Sequence, residues 1–211
     1  MILMEKDIRM NRQDKKNLTR TKITTVFISL VHQKGFTNTT ISDITQQAGL
    51  SRGTFYVYFL DKYDLLEKVE NNLLKHIETL STITISKTVS WLDNPSDDIL
   101  STPSSPYFSL INIFNYLGNN RFFFQTLLSE NGDKQFIYKM NCLLDQLFKK
   151  LYTNTSDHIL QALPSDYTIE LLTSSLVSII DHWLQKANPE TPSDVAKILI
   201  QSRLFAVYQP A

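Results

Sequence analysis

Between residues 39 and 62 the chain gathers short hydroxyl and cationic side chains, Thr39, Thr40, Ser51, Arg52, Thr54 and Lys62, with the phenols of Tyr56 and Tyr58 among them. Such groups are donors and fixed charges, and an anionic oxygen such as a phosphate is their natural counterpart. Side chains that perform covalent chemistry are dispersed. His32, His76, His158 and His182 form no HExxH pair, Cys142 is the single cysteine, and no glycine-rich loop could cradle a nucleotide. Asp181 and His182 are adjacent, and neighbouring helical residues point in different directions, so they do not make a base with its partner. The pattern points to binding rather than catalysis, with no metal and no cofactor expected.

The elements that must hold these residues can be read locally. Thr40 offers an N-cap hydroxyl and Asp43 stands three residues later, a capping-box spacing. Ile41, Ile44 and Ala48 then share one face of a short helix. Gly49 can enter the left-handed conformation that ends a helix, and Ser51 can cap the next one. Leu50 drops between the two helices. Phe55 and Phe59, four apart, face inward and leave Arg52, Gly53, Thr54, Tyr56, Val57 and Tyr58 around the other sides. Asp61 caps a third helix. Helix, glycine turn and second helix with a polar and aromatic outer face make the helix-turn-helix plan, whose second helix enters the major groove.

At 211 residues the chain can bury a large core as one domain or two small ones. Its formal charge is zero, but residues 1–62 hold ten Lys/Arg against five Asp/Glu and residues 63–211 hold eleven against sixteen. A basic amino-terminal part on an acidic remainder suits a nucleic-acid-binding head on a body that phosphates would repel, although an excess of five is also ordinary variation. A single cysteine excludes an intrachain disulfide and fits a reducing interior. No apolar run approaches the roughly 18–20 residues that cross a bilayer. Met1-Ile2-Leu3-Met4 is too short for a signal-peptide core. A cytoplasmic chain without membrane contact is expected.

Periodicity makes the whole chain helical. After a loose arm over 1–13, helices are expected at Asp14–Lys34, at the two segments above, and from Asp61 past Leu80, fraying beyond Ser81 at about residue 85. A Pro/Ser-rich loop at 93–106 precedes helices over Tyr107–Leu117, around Phe122–Leu128 and over Asp133–Tyr152. Ser156 would cap a short turn, and helices over Ser165–Lys186 and Pro192–Tyr208 close the chain, the last with Pro192 at its first position. The expected class is all-α, with about nine helices. A three-helix head over 1–62 would be joined by the helix from Asp61 to a body over 63–211.

The run Thr40-Ile41-x-x-Ile44, then Ala48-Gly49-Leu50-Ser51-Arg52-Gly53-Thr54-Phe55-Tyr56-x-Tyr58-Phe59-x-x-Lys62, resembles the tetracycline-repressor (TetR) family of bacterial regulators, with Gly35-Phe36 at the family's usual distance upstream. The resemblance covers about residues 14–65, and Trp183-Leu184 before Asn188–Ser193 is similar to the turn preceding the last helix in several members. It implies a homodimer whose two heads read successive major grooves of a palindromic double-stranded DNA operator. A small-molecule effector in the body would release it, most often as a repressor. Residues expected at DNA are Thr39, Thr40, Ser51, Arg52, Gly53, Thr54, Tyr56, Val57, Tyr58 and Lys62. Val57 departs from the polar reader many relatives carry, Leu60 from a frequent proline and Tyr63 from a frequent acid, which puts the operator sequence in doubt. Some TetR-like proteins instead activate through a protein partner, and Val57 leaves that alternative open.

For the body, the aromatics Phe108, Phe114, Phe122, Tyr138, Phe148 and Trp183 are candidates to line an effector cavity, with plain core as the competing description. Leu172, Leu176, Ile179, Trp183, Ile198, Leu199 and Phe205 on the last two helices are candidates for a dimer seam, with intrachain core again the competitor.

Overall fold

The computed structural model describes residues 11–93, 98–154 and 164–202. Among these it contains nine helices and no strand: α1 (Arg12–Lys34), α2 (Ile41–Ala48), α3 (Arg52–Tyr56), α4 (Lys62–Asp93), α5 (Pro106–Asn119), α6 (Arg121–Leu128), α7 (Lys134–Asn154), α8 (Ser165–Gln185) and α9 (Pro192–Gln201). The chain divides into two compact units, Met1–Val69 and Glu70–Ala211, with the division falling inside α4.

In the first unit each helix is started by a side chain. Asn11 and Asp14 form a capping box on α1, and Thr40 and Asp43 form one on α2. Ser51 Oγ accepts from the Thr54 N–H at the start of α3. Asp61 accepts from the N–H groups of Tyr63 and Asp64, both at 2.8 Å, at the start of α4. Gly35 (φ 83°) ends α1 and Gly49 (φ 61°) ends α2, in conformations that a Cβ would strain. The core is Phe27, Ile44, Phe55, Phe59 and Leu65, all essentially inaccessible.

Two element ends differ from the sequence expectation. The α4 helix does not fray after Ser81 but runs on to Asp93. Its threonines, which read as strand-like, spend their hydroxyls on the preceding turn: Thr82, Thr84 and Thr88 donate to the carbonyls of Glu78, Leu80 and Thr84 at 2.8–3.0 Å. Tertiary burial of Thr84, Thr88 and Trp91 overrides weak local propensity. At the other end α9 stops at Gln201 rather than Tyr208, because Ser202 turns extended (ψ 134°). The arm over 1–10, the turn expected around Ser156, and Leu204, Phe205 and Val207 lie outside the described residues.

In the second unit α5 packs on α9, α7 on α8, and α6 on α7 and α8. Arg121 and Gln125 of α6 donate to the carbonyls that end α8, Leu184 and Lys186, closing a helix terminus that carries no cap of its own. Gly132 brings the chain so close to the carbonyls of Thr126 and Leu127 that a Cβ would lie 2.4 Å from one of them.

Glu70 of α4 is fully buried, its Oε2 accepting from Lys139 Nζ of α7 at 2.6 Å. Burial pushes its carboxyl above the usual range; Lys139 opposes this, while the Asp133 carboxylate adds to it. Between the unfolded pKa and the folded one, the folded state holds more proton than the unfolded chain. This contribution is complete below the unfolded pKa and is lost as pH rises through the folded one. Glu70→Gln is expected to remove that dependence. Denaturant unfolding at a series of pH values rising from the ordinary carboxylate range should show wild type losing more stability than the variant, whose Lys139 is exposed enough to rehydrate.

Candidate nucleic-acid interface

The α2–α3 pair is closed by the Gly49 turn, where the Leu50 N–H reaches the Thr45 carbonyl at 2.9 Å. Phe55 and Phe59 are 0% and 2% exposed, with ring centroids 5.7 Å apart, and they anchor α3 to the head. That anchoring turns Tyr56 (55% exposed) and Val57 (71% exposed) outward. Arg52 is exposed and makes no ion pair among the described residues. Thr54 is half-buried and shares a 2.9 Å hydroxyl contact with Ser51.

Gly53 sits in this outward face with helical backbone, and a Cβ there would meet nothing closer than Ser51 Oγ at 3.7 Å. A helical glycine costs roughly 0.5–1 kcal/mol relative to alanine. The packing of the head does not require a glycine there.

Thr40 caps α2, and its hydroxyl donates to Asp43 at 2.6 Å. Asp43 is held well below the usual carboxylate range, first by the Lys34 ammonium at 2.7 Å and then by the Thr40 hydroxyl and N–H. Two residues expected at the surface are placed otherwise. Thr39 is fully buried, and its hydroxyl donates to the Gly35 carbonyl at 2.9 Å. Lys62 Nζ donates to the carbonyls of Phe36, Thr37 and Thr39 at 3.0–3.1 Å and lies 4.7 Å from the Phe36 ring centroid. All three of its protons are engaged inside the head. Lys62 thus ties the α1–α2 turn to the start of α4.

Tyr58, half-buried, lines a surface cleft of about 270 Å³ with Lys16, Arg20 and Lys68. Sequence reading did not single out Arg20 or Lys68. The signal for Arg20 was the cationic side of α1, where Lys16 and Arg20 stand four apart; Lys68, on α4, had none.

In the second unit an apolar cavity of about 90 Å³ is lined by Ser81, Thr84, Ile85 and Thr88 of α4, Leu110 and Ile113 of α5, Leu144, Leu147, Phe148 and Leu151 of α7, Leu176 of α8 and Leu199 of α9. Of the six aromatics expected to line such a cavity, Phe148 alone does so. Phe114 and Trp183 are core, packed edge to face at 5.4 Å, with the indole N–H donating to the Glu190 carbonyl. Phe108, Phe122 and Tyr138 are exposed instead. The polar notch Ser81, Thr84, Thr88 on the inward stripe of α4 was the legible sign of the cavity.

The candidate seam residues scatter similarly. Leu172, Trp183 and Leu199 are buried within the chain, Leu176 faces the cavity, Ile179 is half-buried and Ile198 is exposed; Phe205 lies outside the described residues.

With this geometry in place, the similarities to known proteins are decisive. The profile described as "Bacterial regulatory proteins, tetR family" matches residues 27–69, across α2 and α3, and a TetR profile described as "Transcriptional regulator C-terminal region" matches residues 104–203. This chain belongs to the TetR family. An uncharacterised HTH-type transcriptional regulator of Bacillus subtilis (strain 168), YvdT, is 42% identical over 55 residues, which span 26% of this chain and 28% of that relative's own length. Two solved structures share the fold. A TetR transcriptional regulator from Streptococcus agalactiae 2603V has a TM-score of 0.56 at 20% identity, covering 93% of this chain and 98% of that one. NalD, the secondary repressor of the MexAB-OprM multidrug efflux pump in Pseudomonas aeruginosa, has a TM-score of 0.56 at 18% identity, covering 91% and 97%.

Membership makes the protein a helix-turn-helix transcription regulator of all-α architecture. No helix among the described residues is long and apolar enough to cross a membrane, and no group of three His, Cys, Asp or Glu among them could hold a metal.

Proposed function

We propose that this TetR-family protein is a repressor that binds a palindromic operator as a homodimer through α3 and is released by a small molecule in its body. The observation that carries the DNA half is the outward face of α3: Arg52 outside any ion pair among the described residues, exposed Tyr56 and Val57, and a glycine the fold itself does not need. Arg52, Thr40, Ser51, Thr54 and the Tyr58 cleft would grip phosphates, while Tyr56 and Val57 reach base edges, valine through apolar contact with a thymine methyl. Thr39 and Lys62 support this surface from behind rather than touching DNA.

The apolar cavity beneath α4 supports the effector half, since α4 is the covalent route from the body to the head. Recognition helices of a dimer must sit about 34–36 Å apart to meet adjacent major-groove turns. A ligand that shifts α4 would change that spacing and release DNA. Selecting host-genome fragments on the purified protein tests the reading. Enriched fragments should share an inverted repeat with half-sites one helical turn apart, and an enriched motif without two-fold symmetry would sink the dimer.

One observation favours a second reading. Val57, Leu60 and Tyr63 are 71%, 78% and 63% exposed, an apolar set on the head that would also suit a protein partner in activation. Under that reading no fragment is enriched without the partner.

A further inference from the structure

We infer that Val57 reads the C5-methyl group of a pyrimidine, so that at one position of each half-site thymine binds better than uracil and 5-methylcytosine better than cytosine. The inference rests on the operator reading above, and it names the chemical group by which part of that operator is recognised.

Val57 stands exposed directly after α3, with helical backbone. Its side chain is hydrocarbon only, and its N–H is already spent on the carbonyls of Gly53 and Thr54, both at 3.3 Å. The residue therefore has no donor left for a base edge. An exposed aliphatic side chain discriminates between bases through the apolar group of the major groove, the C5-methyl of thymine. The bond to the Gly53 carbonyl continues the helical turn, so Gly53 and Val57 lie on one face, one turn apart. Gly53 has no side chain, and a Cβ there would meet Ser51 Oγ at 3.7 Å. No side chain at position 53 therefore shields the valine methyls on that side.

A second observation sets a phosphate beside the same residue. Val57 also forms a wall of the surface cleft that Tyr58 shares with Lys16, Arg20 and Lys68. Lys68 is paired with Asp64 at 2.8 Å, which leaves Lys16 and Arg20, both exposed and four apart on α1. A phosphate drawn to these cations would stand next to Val57. The C5-methyl lies on the side of a pyrimidine's major-groove edge that faces its own strand's backbone. A phosphate in the cleft and a methyl on the valine thus fit one stretch of a single strand.

The test uses the full chain and the inverted-repeat duplex enriched from the host genome, with deoxyuridine replacing each thymine in turn. Fluorescence anisotropy should find one position per half-site where loss of the methyl weakens wild type about fourfold, or about fifteenfold with both half-sites changed. At that position 5-methylcytosine should bind better than cytosine by a similar factor. Val57→Ser should bind the thymine and uracil duplexes alike. Each ratio is taken within one variant, so it does not depend on how much of that variant is folded. Wild type that ignores the methyl at every thymine, or a loss on uracil that persists in Val57→Ser, overturns the inference while the operator reading stands. Enrichment of no duplex at all defeats the operator reading, and this inference with it.

Discussion

Lys62→Ala is expected to destabilise the head by about 2 kcal/mol and to weaken DNA binding more than tenfold, while leaving the salt slope of binding unchanged. The ammonium closes three carbonyls of the turn between α1 and α2, and that turn presents Thr40 and the start of α2. A hydrogen bond from a charged donor contributes about 1.5–3 kcal/mol. The turn is exposed enough at Thr37 for water to replace part of that, which sets the total nearer one strong bond than three. Urea unfolding of the variant followed by fluorescence anisotropy on a duplex at several salt concentrations separates the two roles. Positioning gives reduced stability and a preserved slope. A phosphate clamp, which the position of Lys62 in the motif suggests, gives preserved stability and a slope shallower by about 0.9 for each phosphate no longer neutralised.

Gly53→Ala should do the reverse. The added methyl makes an ordinary contact, 3.7 Å from Ser51 Oγ, and restricts the unfolded chain, so stability should rise by roughly 0.5–1 kcal/mol. In the proposed docking the same methyl would stand between α3 and the groove. Affinity is expected to fall at least about tenfold, or 1.4 kcal/mol, in a protein that unfolds later than wild type. A head that gains stability and keeps full affinity would show that α3 does not approach DNA along this face.

Much of the head was legible because its devices are local. Thr40 with Asp43, Gly49, Ser51 and Asp61 act within four residues of themselves, and Phe55 and Phe59 declare their shared face by spacing. The internal bonds of Lys62 were not legible because its partners are far along the chain, and those of Thr39 because its burial is not a matter of spacing. The carbonyls that Lys62 closes lie 23 to 26 residues upstream, and the burial of Thr39 depends on how the Gly35 turn folds back. In the body, spacing could not divide core from cavity. Phe114, Phe148 and Trp183 all lie on inward stripes, and the tertiary packing alone sends Phe148 to the cavity and pairs the other two. The Ser81–Thr88 stretch misled in the opposite sense, since its β-branched residues look extended until their hydroxyls are seen bonded along the helix.

The claim on which the rest depends is that α3 of each protomer lies against duplex DNA among its phosphates. The direct measurement is the affinity of wild type and of Arg52→Ala for a selected inverted-repeat duplex, from about 50 to 200 mM salt. If six to ten phosphates are contacted across the dimer, wild-type affinity should fall by about 10³–10⁵ over that range, and Arg52→Ala should give a shallower slope at unchanged stability. Binding that ignores salt, or no binding to any duplex at the lowest salt, would contradict the account.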